Sequence, residues 1–291
     1  MLGYALLAGL VFGLYFGLVG LGLNLVFGVM RIVNLAHGDF LMLGAFGAFW
    51  LFGIAHVNPI VTAFLALPVF IALGFPLYYL VVPRLLRAKD PEMLSIILFF
   101  GMSQVIEALA TIGFGPSERS IPGRVLGSGP VSLFGQSLPS AWMVSGVASG
   151  LAVLGVYLYL YRTRLGYLTR AVMVHREEAL ATGIDVHKVS AIAFGVGLAL
   201  AAIAGVFAPF MLGSATPAMG VDLNIQSFAV IVVGSLGNPL GTVLGGIVYG
   251  VSLMFMQTYF SSWANLLPYL LLILILLVRP SGLLGRQVRL A

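Results

Sequence analysis

The sequence predicts an all-α polytopic membrane protein, and three observations carry that prediction. Charged residues are only 8% of the chain and hydrophobic ones 60%, whereas soluble domains carry about 25% charge. Mean hydropathy is +1.10. The charges are also gathered into a few short stretches, leaving uncharged runs long enough for spans of about 20 residues each. About nine transmembrane segments are expected, with eight to ten as the range, some of them broken or re-entrant helices. No soluble domain fits between them, so residues 1–291 read as one membrane domain.

Taken in order, residues 1–30 hold no charge and form the first span. They lack a basic leader and a small-residue cleavage site, which predicts a retained helix. Gly9, Gly13 and Gly17 recur every fourth residue on one face, letting another helix backbone approach closely. Packing within the subunit and a subunit interface both accommodate that stripe. The stretch MRIVNLAHGDFLMLGAF then interrupts the apolar pattern with Arg31, Asn34, His37 and Asp39, and Gly38 is placed to bend the helix. Residues 40–83 fit two spans joined by a turn at His56-Val57-Asn58-Pro59. A short basic loop covers 84–90, and Pro91 restarts the chain before a span over 93–113 that carries Glu107.

Residues 115–140 are rich in Gly, Pro and Ser and read as a long external loop with short strand-like or interfacial pieces. The next span, 141–161, delivers the stretch RTRLGYLTRAVMVHREEALATGIDVHK over 162–188. Its 27 residues hold five Lys/Arg and three Asp/Glu. Glu177 and Glu178 suit the first turn of a short helix, and Gly183 suits the left-handed position just beyond its end. Asp185 is placed to cap the following span, expected over 189–212. Residues 213–222 read as a polar turn. The last 56 uncharged residues, 223–278, are divided by breakers at 234–239 and 261–262 into three segments, of which 224–233 is the shortest. An internal repeat is suggested by breaker placement alone: NLAHGDFLMLGAF near the start echoes SLGNPLGTVLGGI near the end.

Charge sets the orientation. With Arg31, the loops at 84–90 and 162–188 and the C-terminal tail inside, twelve basic residues are cytoplasmic and only Arg119 and Arg124 are external. Nine crossings then put the N-terminus outside and the C-terminus in the cytoplasm. The net charge of +5 sits at span ends and gives no reason to expect nucleic acid.

The chemistry excludes more than it assigns. Cysteine is absent, and with it thiol catalysis and Cys-ligated metal. No Gly-Lys pair exists, so there is no Walker phosphate loop, and there is no HExxH zinc motif. Neither catalysis nor a cofactor or metal is expected. Asn34, His37, Asp39 and Glu107 are the polar groups placed at membrane depth or at its edge. Ionisable groups there are functional candidates by default. For His37 and Asp39, beside Arg31 at a helix end, a structural bend with ion pairing is the competing reading. An ion-coupled carrier using Asp39 or Glu107 also remains open, as more weakly does a channel.

Three stretches carry a resemblance: FGVMRIVNLAHGDFLMLGAF, RTRLGYLTRAVMVHREEALATGIDVHKVSAIAFGVGLALAAIAGVF and VVGSLGNPLGTVLGGIVYG. They are similar, in order and spacing, to permease subunits of branched-chain amino-acid ABC importers of the H type, over nearly the whole chain. The last is often written with Gly-Gly where this chain has Gly234-Ser235. The resemblance implies a second permease subunit, heterodimeric or homodimeric, in the prokaryotic inner (plasma) membrane. It also implies two cytoplasmic ATP-binding subunits and an external substrate-binding protein, all set among membrane lipid. ABC permeases dock the ATPase through an E-A-A-x-x-x-G loop, which assigns ATPase coupling to Glu177, Glu178, Ala179 and Gly183, with a departure at the second position. The cargo stays open, because related permeases carry urea or short amides.

Overall fold

The computed structural model describes residues 1–285 of the 291. The tail arginines Arg286 and Arg289, and the placement of the C-terminus, lie outside the described residues. Among the described residues eight helices are long and apolar enough to cross a membrane: α1 (Leu2–Met30), α2 (His37–Ala55), α3 (Pro59–Leu85), α4 (Pro91–Phe114), α5 (Ser140–Arg162), α8 (Val186–Met211), α10 (Pro239–Tyr259) and Ser261–Val278, whose helical end is α11 (Leu267–Val278). The ninth expected segment is the shorter apolar helix α9 (Met219–Gly234). At 1.5 Å per residue it covers roughly 24 Å, less than a hydrocarbon core of about 30 Å. Two small helices, α6 (Arg164–Val174) and α7 (Arg176–Ala181), lie in the charged loop.

Helix ends follow local chemistry. Asn58 accepts from Ile60 N at 2.9 Å with Pro59 opening α3, and Asp90 accepts from Met93 N at 3.1 Å with Pro91 opening α4. The loop after α4 contains a 3-10 turn at Gly123–Leu126 and a hairpin, β1 (Pro130–Leu133) with β2 (Gln136–Pro139), antiparallel with Pro130 opposite Pro139. Phe134 and Gly135 form its two-residue turn, both at positive φ (50° and 74°) as the twist of a tight hairpin requires. Strand-like pieces were expected here and are present.

The bundle is organised around α1 and α8, whose side chains are mostly buried, while α3, α4, α5 and the last span are mostly exposed. α1 runs antiparallel to α10 along its length, and the glycine stripe is the reason they lie so close. A β-carbon on Gly9 would stand 2.6 Å from Val251 Cα, and one on Gly13 2.7 Å from Ile247 Cα. From the other side, Gly246 and Gly250 meet the backbone of Gly17 and Gly13. The stripe is therefore consumed inside the chain, which settles the open choice. Gly241 and Gly245 face a different neighbour, the end of α9 at Gly234 and Val230.

Two faces of the bundle can be named by what they carry. Arg31, at the end of α1, donates to Met173 O of α6, so this end lies on the face of the charged loop. At the opposite face Arg119 pairs with Ala215 in an antiparallel bridge, and Gln136 of β2 lies beside Gly3.

Three expectations need correction. The break after α1 is not made by Gly38, which sits inside the first turn of α2; it is the non-helical link over residues 31–36, opened by Arg31 in the left-handed region at φ 56°. Gly38 is instead a close-approach residue, because a β-carbon there would collide with Gly220 O of α9. The supposed turn at 213–222 already contains the start of α9 at Met219, with Asp222 in its first turn. The charged loop also holds one helix more than its signals suggested, since α6 packs back under α5.

Candidate functional site

The charged loop folds as a hydrogen-bonded unit. Thr163 accepts from Gly166 N at 3.0 Å and starts α6. Arg170 returns to the end of α5, donating from Nε to Leu160 O at 3.0 Å and lying 4.2 Å from the Tyr161 ring centroid. A cation at a helix C-terminus satisfies a free carbonyl and complements the dipole. Glu177 and Glu178 occupy the first turn of α7 as expected. The helix ends in a Schellman arrangement: Ile184 N donates to Ala179 O at 3.1 Å and Gly183 N to Leu180 O at 3.0 Å. Gly183 has φ +83°, and nothing lies within 4 Å of where its β-carbon would be. Asp185 then caps α8, accepting from Lys188 N at 2.9 Å.

Within this unit the four candidate residues part company. Glu177, Glu178 and Gly183 are exposed, but Ala179 is only 4% exposed and belongs to the chain's own core. Its small side chain lets α7 lie flat on the protein rather than forming an outward face. The outward apolar group is Leu180, 64% exposed. Arg176, the first residue of α7, donates to Val29 O at 3.4 Å. The loop helix is thereby tied to the end of the central helix.

The second set lies deep in the bundle. From Arg31 the chain turns back alongside α1, so that His37 Nε2 donates to Val19 O at 3.1 Å. Val19 is eleven residues before Met30, or roughly 16 Å along the helix. Asn34, His37 and Asp39 are all buried. Asn34 Oδ1 accepts from Ala36 N at 3.1 Å and holds the link. Asp39 does not pair with Arg31, which is directed to Met173 O, and the ion-paired bend at a helix end is corrected accordingly. Asp39 instead lies against Gly220 at the start of α9, with Ser103 and Glu107 of α4 beside it. Glu107 is half-buried. The structure thus gathers Asp39 and Glu107, while His37 turns toward α1.

Several polar residues in this seam escaped the sequence reading. Asn224 of α9 donates from Nδ2 to Leu35 O at 2.8 Å. Asn24, uncharged within the first apolar run, donates to Thr242 Oγ1 and accepts from Gly237 N at 2.6 Å, fastening the α9–α10 turn to α1. Tyr78 OH lies 3.2 Å from His187 Nδ1, linking α3 to α8. Single amides in apolar runs were the available signal, and nothing local distinguished them from incidental polar residues. At Ser235 φ is +139°, a region that favours glycine.

Fold and site together define a multi-pass helical membrane protein of the transport-permease class, with a polar seam inside the bundle and a loop helix on one face. The chain belongs to the family described as the permease component of branched-chain amino acid transport systems, whose model matches residues 5–276. It is 29% identical to the high-affinity branched-chain amino acid transport system permease protein BraD of Pseudomonas aeruginosa, covering 97% of this chain and 95% of that one. It is 27% identical to the high-affinity permease LivH of Salmonella typhimurium over 96% of this chain and 94% of that protein. The ribose import permease RbsC of Escherichia coli is 24% identical over 84% of this chain and 76% of its own length. No solved structure gives a significant match.

Proposed function

We propose that this chain is the membrane-spanning permease of an ABC importer that moves branched-chain amino acids across the prokaryotic inner membrane by alternating access. The observation that carries the reading is the loop unit α6–α7. It presents Glu177, Glu178 and Leu180 outward on a helix closed by Gly183, and is tied by Arg176 to the end of α1. Such a unit suits a partner that pushes on it. Two cytoplasmic ATPases seated there would supply the energy, a second permease subunit or a second copy would complete the path, and an external binding protein would deliver the cargo to the hairpin face. In this reading the loop face is cytoplasmic and the N-terminus is outside.

A second reading has one observation behind it: Asp39 is buried without an ion-pair partner among the described residues, as the coupling carboxylate of an ion-driven carrier would be. Reconstitution with the ATPase and binding protein in proteoliposomes separates the two. The import reading expects leucine uptake that needs ATP and survives a protonophore. Uptake without the ATPase that collapses with the proton gradient would replace it with the carrier, and uptake of urea or a short amide without leucine would reassign the cargo.

A further inference from the structure

The polar seam contains an arrangement that neither the loop nor the break requires. Asp39, in the first turn of α2, is 1% exposed, and apart from its own backbone N–H and the Ser103 hydroxyl of α4 its carboxylate faces no donor, and no cation, among the described residues. Asn224, also buried, commits its Nδ2 to Leu35 O, which fixes the amide and leaves Oδ1 without a donor. The two residues belong together. A β-carbon on Gly38 would lie 2.8 Å from Asn224 N, and one on Gly220 would lie 3.2 Å from Asp39 Cα. Gly220 and Asn224 are one helical turn apart on the same face of α9. On the other side α4 brings Ser103 and Glu107 toward the same carboxylate.

These groups are complementary to one kind of ligand. A buried carboxylate without a cationic partner is costly, and a second carboxylate nearby adds to the cost. Arg31, the nearest cation in sequence, is turned away to Met173 O. What is missing is a cationic donor, and an ammonium offers three N–H groups and no lone pair. We propose that Asp39 and Asn224, with Glu107 across from them, form a transit site that takes the α-ammonium group of an amino acid as it passes between α2, α4 and α9. This rests on the amino-acid import reading above, and it favours a zwitterion over urea or an amide, whose N–H groups carry no charge. Asp39 and Asn224 are binding residues in this account, and Gly38 and Gly220 bring the two helix starts close enough for both to share one ligand.

The test uses the assembled transporter with its ATPase and binding protein in proteoliposomes. Asp39→Asn keeps the shape and removes the charge. Loss of one charge-assisted contact predicts a fall in leucine uptake of about tenfold or more, with ATPase recovery on the purified complex unchanged. Leucine uptake within about twofold of the native rate in a fully assembled Asp39→Asn complex overturns the proposal while leaving the import reading intact. A native complex that moves no leucine under ATP overturns both. Where the variant fails to assemble, the native complex decides. Dicyclohexylcarbodiimide modification of the peptide bearing Asp39, followed by mass spectrometry, should be slowed during turnover with leucine and not with isocaproate, which lacks the amino group. Equal modification with leucine, with isocaproate and with neither overturns it.

Discussion

Replacing Gly183 tests the loop unit most directly, because its environment isolates one physical effect. The residue sits at φ +83° with open space around its β-carbon position, so a side chain there meets no neighbour. The whole penalty is conformational. The left-handed region costs an L-residue roughly 1–2 kcal/mol, more for a β-branched one and less for asparagine. Against that penalty stand the two terminal hydrogen bonds, Ile184 N to Ala179 O at 3.1 Å and Gly183 N to Leu180 O at 3.0 Å, each worth about 1 kcal/mol net. A loss of about 2 kcal/mol lowers the population of the intact turn by about 30-fold relative to opened forms. Recovery of the ATPase in a pull-down and ATP-driven uptake should therefore fall in the order Gly, Asn, Ala, Val, while the amount of permease in the membrane stays constant. Native recovery and uptake in a well-expressed Gly183→Val would refute the coupling assignment. A Gly183→Asn variant as inactive as Gly183→Val would instead count against the backbone argument, since asparagine tolerates the left-handed region.

Other outcomes follow from the same reasoning. Impermeant thiol reagents applied to intact cells should label Ser128→Cys and not Thr182→Cys, the native chain having no cysteine; the reverse pattern inverts the orientation. Gly250→Val places a side chain against the backbone of Gly13 and Gly9, an overpacking cost of about 1–3 kcal/mol or more, and should reduce folded permease on a detergent-stability assay, whereas Gly53→Val, with nothing within 4 Å, should not. Ser235→Gly removes an L-residue from φ +139° and should raise the melting temperature, by an amount matching roughly 1–3 kcal/mol of relieved strain; an unchanged or lower value argues against strain there. Asn24→Leu strands Gly237 N–H and should destabilise by about 1–3 kcal/mol, read in the same melt.

The loop was legible in the sequence because its signals are local. Glu177 and Glu178 in a first turn, Gly183 beyond the last and Asp185 as a cap each act within four residues, and all occupy those roles. The burial of Ala179 and the exposure of Leu180 were not legible, since they depend on how α7 lies against the rest of the bundle.

By itself the sequence determined the class, the approximate number of spans and the breakers between them, because the partition of apolar and charged residues into a membrane is a property of composition along the chain. It also supplied the glycine stripe on α1 but not its partner. Only the tertiary structure decided that the stripe faces α10, that Gly38 meets Gly220, and that Asp39 lies deep beside Asn224 and Glu107 rather than at a helix end with Arg31. Those outcomes depend on which way the link over residues 31–36 turns after α1. That direction is set by contacts with α9 and with α1 itself, Asn224 to Leu35 O and His37 to Val19 O. Such contacts join residues as far as 189 positions apart, and no local preference of the intervening chain encodes them.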